Sequence, residues 1–118
     1  MRYLDAFVVL GQLVSKLISM GISEISEDDI DKFSYEFVLL MCKKERTFLR
    51  ITRADIIRFA DKNMTYLRYD RALDKLYINF DMSPAKFFND FYASKFSELY
   101  GFEAEANMDF AITKMLSK

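Results

Sequence analysis

Arginine is concentrated in one stretch of this chain. Six of the seven arginines lie between Lys43 and Lys75, and this stretch, which we call the basic centre, holds ten cations and five anions. The flanking residues are acidic, so a formal net charge of −1 conceals a local balance of +5. Guanidinium groups are planar and bind phosphates or guanine edges through paired hydrogen bonds. The charge asymmetry therefore indicates a surface that meets a charged partner.

Other chemically active side chains are scarce. The chain has no histidine and a single cysteine, Cys42, which we expect to pack on the buried side of a helix. Histidine acid–base catalysis, nucleophiles activated by histidine and thiolate metal clusters are therefore excluded in this chain. Ser83 and Lys86 match the Ser-x-x-Lys spacing of serine–lysine acyl enzymes, but the companion motifs of that class are missing. We expect a protein that is not an enzyme and needs no cofactor.

An acidic run from Glu24 to Asp31 is the one candidate for a metal site. It lacks the spaced oxygen ligands and the central glycine of a calcium-binding loop. Ser26 followed by three carboxylates is instead typical of a helix start, where negative charge favours the positive end of the helix. We therefore predict no metal site. The run could also dock on the basic centre of a second copy.

Length and composition predict one ordered domain over residues 1–118. The hydrophobic fraction is 52%, with 12 Phe and 7 Tyr, which is enough for one packed core. The longest apolar stretch, Ala6 to Ile22, is interrupted by Gln12 and Lys16 and lacks the cleavage pattern of a signal peptide. We interpret it as a core helix, and we expect a cytoplasmic protein without a membrane partner.

Apolar residues at helical spacing predict helices on both sides of the basic centre. Residues typical of helix ends set their limits: Ser26 and Pro84 at two starts, and Gly21 and Gly101 at two ends. The predicted helices are residues 3–20, 27–45 and 83–101, with a last helix from about 107 onward.

Within the basic centre, the pattern predicts a short third helix. Thr52 and Asp55 nearly match a capping box, and Ile56 and Phe59 begin an apolar face. The apolar residues just before this helix could form a small strand. The cations that lie largely off the apolar face are Arg53, Arg58 and Lys62.

A β-hairpin is predicted after the third helix. Residues 65–69 are rich in strand formers, and residues 76–81 alternate between apolar and polar side chains. We expect the turn near 71–74. Residues 73–80 also fit helical spacing, and no glycine marks the turn, so a helix is the alternative for this segment.

The order of helix, turn, short helix and hairpin over residues 27–81 resembles the helix-turn-helix and wing of winged-helix proteins. In that family the short helix enters the major groove of duplex DNA and the wing contacts the backbone. The resemblance implies a nucleic-acid-binding regulator. The patterns along the whole chain predict a mainly α (α+β) fold, with four or five helices around one core and a small hairpin. The second helix is longer than the family pattern, and the turn lacks a glycine. The residues implied at the DNA are Arg53, Arg58, Lys62, Asn63, Arg68, Arg71 and Lys75.

Two alternatives stay open at the level of sequence. The arginines could pair with the interleaved acids on a solvated surface, as charge runs usually do. The chain could also be a small protein-binding inhibitor, immunity or adaptor protein of phage or plasmid type. Tyr66 and Tyr69 lie among the arginines, and this composition is typical of hot spots for proteins and nucleic acids alike. A homodimer is compatible with either function.

Overall fold

A computed structural model describes residues 2–79 and 85–117, and for residues 85–89 the backbone only. These residues form a mixed α+β fold of four helices and two small sheets, as the sequence predicts in outline. In chain order the elements are β1 (Arg2–Tyr3), α1 (Ala6–Ser19), β2 (Glu24–Ser26), α2 (Glu27–Met41), β3 (Thr47–Phe48), α3 (Arg53–Lys62), β4 (Leu67–Asp70), β5 (Lys75–Ile78) and α4 (Ala85–Leu116).

The starts of α2 and α3 are fixed by reciprocal capping boxes. Ser26 Oγ accepts the N–H of Asp29 at 3.0 Å, and the Asp29 carboxylate accepts the N–H of Ser26 at 3.3 Å. In α3, Thr52 Oγ1 accepts the N–H of Asp55 at 3.2 Å, and the Asp55 carboxylate accepts the N–H of Thr52 at 2.9 Å. Each box satisfies two backbone N–H groups that a helix start leaves unpaired. Both predicted caps are confirmed.

The C-terminal limit predicted for α2 is wrong. The helix ends at Met41, four residues before the predicted end at Glu45, so Lys43 lies in a turn beyond it. The chain leaves the helix early because Thr47 pairs with β1, a long-range contact that overrides local helix preference. Cys42 is consequently exposed at the helix end, not packed as expected.

The predicted hairpin is confirmed, and it belongs to a larger sheet. Strands β4 and β5 pair antiparallel around a turn at residues 71–74, where Asp74 adopts a φ of 51°. The Asp70 carboxylate accepts the N–H groups of Ala72 and Leu73 and stabilises the turn without a glycine. Strand β2 pairs antiparallel with β5, giving the order β2-β5-β4.

The last helix bends at Gly101. This residue has φ 80° and ψ −176°, a conformation restricted to glycine, and helix resumes at the next residue and not at 107 as predicted. The predicted start at Ser83 and Pro84 lies outside the described residues. The two halves of α4 therefore differ in direction while the chain stays helical on both sides of the bend.

Helix α1 lies at the centre of the core, against α4 and α3. Its residues Val9, Leu10 and Leu13 are fully buried. The aromatic rings of Phe37 on α2 and Phe96 on α4 meet at 6.2 Å between centroids and join these two helices. Within the described part of the chain, none of the helices combines the length and apolar character that crossing a bilayer requires.

Candidate nucleic-acid interface

Helix α3 buries one face and exposes its cations. Ile56 and Phe59 are fully buried, whereas Arg53, Arg58 and Lys62 are exposed, as their positions off the apolar stripe predict. The three cations do not form one row. At 100° per residue they spread over about half of the helix circumference, and each has different neighbours.

Arg53 connects the start of α3 to the hairpin turn. Its Nη2 atom donates to the carbonyl oxygen of Arg71 at 2.9 Å and lies 3.0 Å from Oδ1 of Asp74. The guanidinium also lies 5.9 Å from the ring centroid of Tyr69. Arg53 therefore positions α3 against the hairpin through one of its terminal nitrogens.

Arg58 points into solvent and pairs with the capping carboxylate of its own helix. Its Nη2 atom lies 2.6 Å from Oδ1 of Asp55, and two-thirds of its side chain is exposed. Burial would raise the pKa of Asp55, but hydrogen bonds from Thr52 and from the Arg58 guanidinium outweigh burial and leave this pKa below its ordinary value. Asp55 is therefore ionised at neutral pH and holds Arg58 near the helix start.

Lys62 and Asn63 lie at the other end of α3, beside α1 and α4. The Lys62 Nζ atom lies 5.8 Å from the ring centroid of Phe7 on α1. The Asn63 amide donates to the carbonyl of Phe59 at 2.9 Å and to the hydroxyl of Tyr92 at 3.3 Å. Asn63 thus closes the helix and fastens it to α4, and its amide is engaged in these bonds.

The hairpin carries three further cations. Arg68 lies 3.7 Å from Asp70 and 4.5 Å from the ring centroid of Tyr77, and Lys75 pairs with Glu24 of β2 at 3.4 Å. The Arg71 side chain is exposed in the turn and has no ion-pair partner within residues 2–79 and 85–117. Arg71 is thus a hairpin cation that is open to an incoming anion.

The two tyrosines predicted at this surface differ in their roles. Tyr69 donates from its hydroxyl to Asp74 at 3.1 Å, and burial together with this bond raises its pKa. Tyr66 is half-buried and lines a cavity of about 380 Å³ with Arg68 and Tyr77. Tyr69 therefore supports the turn, while Tyr66 lies beside an exposed guanidinium.

A second cavity, of about 270 Å³, lies between α3 and β4. Its walls include Ile57 and Asp61 from the helix and Arg68 and Arg71 from the hairpin. The structure therefore brings Ile57 and Asp61 of α3 beside Arg68 and Arg71 of the hairpin. We call these residues, together with Arg58 next to Ile57, the α3–hairpin surface. Lys62 and Asn63, at the far end of α3, are directed towards α1 and α4 instead.

A different feature was not predicted from sequence. A cavity of about 590 Å³, which we call the α2 groove, lies between residues 27–39 of α2 and the segment 48–53. The exposed fractions of Tyr35, Leu39 and Phe48 are 66%, 49% and 43%. Tyr35 and Leu39 are four residues apart on α2, which is the only sequence signal for this second apolar stripe.

Within the described ranges, no group of three or more cysteine or acidic side chains is placed to hold a metal ion. Comparison with known proteins gives no assignment: no family model, curated protein sequence or solved structure matches the chain.

Proposed function

We propose that this protein binds duplex DNA through the α3–hairpin surface, in a build like that of winged-helix proteins. The observation that carries the proposal is the pair of contacts from Arg53 to the turn, at 2.9 Å to Arg71 and 3.0 Å to Asp74. They hold the start of a helix with exposed cations against the end of a hairpin. A recognition helix and a wing that act on one duplex need a fixed relation of this kind.

The order of elements also supports the proposal. Helices α2 and α3 are followed by the hairpin, and strand β2 joins the hairpin directly to the start of α2. The link between α2 and α3, residues 42–52, is longer than the turn of three or four residues that is usual in a helix-turn-helix. The β2–β5 pairing offers a separate means of keeping helices and hairpin together.

The ion pairs of this surface leave its cations available to phosphates. Side chains of Arg58 and Arg68 are 67% and 66% exposed. Each guanidinium has five N–H donors, and its carboxylate partner occupies only part of them, so the remaining donors can bind a phosphate. Together with Arg71, these residues offer bidentate donors on the helix and on the hairpin.

Binding to a short fluorescent duplex, followed by anisotropy at two salt concentrations, tests the proposal. With about four phosphate contacts, affinity should fall roughly a hundredfold between about 50 and 200 mM salt. The double variant Arg58→Ala, Arg71→Ala should bind more weakly, with a salt slope smaller by about two. Arg46→Ala is the matched control. This exposed arginine lies beyond the C-terminal end of α2, whereas the hairpin lies beside the start of α2.

Two results would reject the proposal. One is the absence of binding by the folded protein at about 50 mM salt, a condition that favours phosphate contacts. The other is equal loss of binding in Arg46→Ala and in the double variant. In the first case the protein-binding alternative replaces the nucleic-acid function.

A further inference from the structure

The α2 groove has an apolar floor and exposed apolar walls. Leu49 and Ile51 on its floor are buried, while Tyr35, Leu39 and Phe48 remain open to solvent. The ring of Tyr3, itself 71% exposed, meets the ring of Phe48 edge to face at 5.6 Å and extends the patch beyond the groove. Contiguous apolar surface with a polar rim is typical of an interface between proteins.

The two walls of the groove run in opposite directions. The N–H of Glu27 donates to the carbonyl oxygen of Asp74 at 2.9 Å, and the carboxylate of Asp74 pairs with Arg53. The start of α2 therefore lies near the end of segment 48–53. At the other end, Cys42 Sγ donates to the carbonyl of Thr47 at 3.3 Å, immediately before Phe48. The groove thus has an apolar end at Phe48 and a charged end at Glu27.

The groove carries charges of both signs. Arg50 on one wall and Glu27 and Asp31 on the other form no ion pair with any described residue. An acidic partner would match only Arg50, and a basic partner would match only the carboxylates. A second copy of the chain brings both a cation and carboxylates to the groove. A two-fold axis forms every contact twice, once from each copy to the other.

We propose that the α2 groove is the interface of a two-fold homodimer. Tyr35, Leu39 and Phe48 form its apolar centre, and Arg50 of each copy pairs with Asp31 of the other at the rim. This arrangement removes the exposed apolar patch from water and pairs two of the three charges that each copy leaves unpaired, Arg50 and Asp31. It uses residues outside the α3–hairpin surface and holds whether or not the protein binds nucleic acid.

Sedimentation equilibrium of the free protein, without nucleic acid, measures the association. Over a range of about 1 µM to 1 mM, the mass should approach twice the 13.9 kDa of one chain. Tyr35→Glu should raise the dissociation constant at least about tenfold, because a buried aromatic anchor is replaced by a charge. Met64→Glu is the control, since Met64 is 75% exposed but lies between α3 and the hairpin.

Charge reversal distinguishes the two-fold contact from non-specific association. Arg50→Glu and Asp31→Arg should each raise the dissociation constant about tenfold or more, and the double reversal should restore it to within a few fold of wild type. A monomer at every concentration would overturn the proposal and leave the groove to a different protein. A dimer that is insensitive to Tyr35→Glu, or that the double reversal fails to restore, would overturn it equally.

Discussion

At the scale of single residues, Gly11 sets how closely α1 approaches α4. A Cβ atom added at Gly11 would lie 1.9 Å from Cδ1 of Tyr92. Tyr92 is 5% exposed and also meets Phe59 at 5.6 Å between ring centroids, so its ring has little room to move. A glycine in mid-helix, which costs about 1 kcal/mol of helix preference, is explained by this contact.

Gly11→Ala should lower the free energy of unfolding by about 1–3 kcal/mol, because the methyl group overpacks the core. Urea unfolding followed by circular dichroism measures this change in the free energy of unfolding. In a Tyr92→Ala background, the same change should be neutral or stabilising, since alanine is the better helix former. An equal loss in both backgrounds would show that the clash with the tyrosine ring is not the cause.

Asp55 joins the fold of α3 to the charge of its surface. Its side chain is 17% exposed and accepts hydrogen bonds from Thr52 and Arg58. Because the folded protein lowers the pKa of Asp55, this residue stabilises the fold above its unfolded pKa of about 3.9, and the stabilisation is lost as pH falls through the lower folded pKa. The carboxylate form is thus the one that caps α3.

Asp55→Asn should cost about 1 kcal/mol of stability at pH 7. Below about pH 4 the cost should shrink, because the unfolded chain binds a proton at Asp55 before the folded protein does, and the stabilisation that the carboxylate provides falls. Urea midpoints at pH 7 and pH 3 measure both quantities. Asp61→Asn, an exposed site on the same helix, is the control, and a loss as large in this control would contradict the capping role.

At the scale of elements, local signals in the sequence predicted what depends on local structure. Ser26 and Thr52 start α2 and α3 as expected, and the hairpin turns where it was expected. Strand β1 was not anticipated, because two residues carry no periodicity and pair only with distant Thr47 and Phe48. Strand β2 was not predicted either, since its pairing with β5 is also a long-range contact.

The candidate site was predictable only in part for the same reason. Helical spacing predicts that Arg53 and Arg58 are exposed, and the structure agrees. Spacing does not show that Arg53 reaches Asp74, 21 positions away in sequence, or that Lys62 meets Phe7. The α2 groove was missed because Phe48 and Tyr35 come together only after the chain folds back along α2.

The bend of α4 gives a prediction at the element scale. Gly101 has a φ and ψ that only glycine adopts without strain, although a side chain there would meet no other atoms within 4 Å. Gly101→Ala should therefore lower the free energy of unfolding by about 1–3 kcal/mol through backbone strain alone. Thermal or urea unfolding measures the change, and unchanged stability would show that a straight α4 is equally acceptable to the fold.

At the scale of the whole molecule, folding redistributes the charge asymmetry of the sequence. Two cations of the basic centre pair with acids of the flanks: Lys44 with Glu103 at 2.9 Å, and Lys75 with Glu24 at 3.4 Å. The excess of positive charge that remains is divided between the link from α2 to α3, which carries Lys43, Arg46 and Arg50, and the cations of α3 and the hairpin. We propose nucleic-acid binding at the α3–hairpin surface and self-association at the α2 groove.

The most direct test of the nucleic-acid function is a nuclear magnetic resonance titration of ¹⁵N-labelled protein with a short duplex at about 50 mM salt. We predict that backbone amide signals of Arg58, Arg68 and Arg71 shift with added DNA, while those of Tyr35 and Leu39 stay in place. Signals that do not move at all, or shifts confined to residues away from α3 and the hairpin, would contradict it.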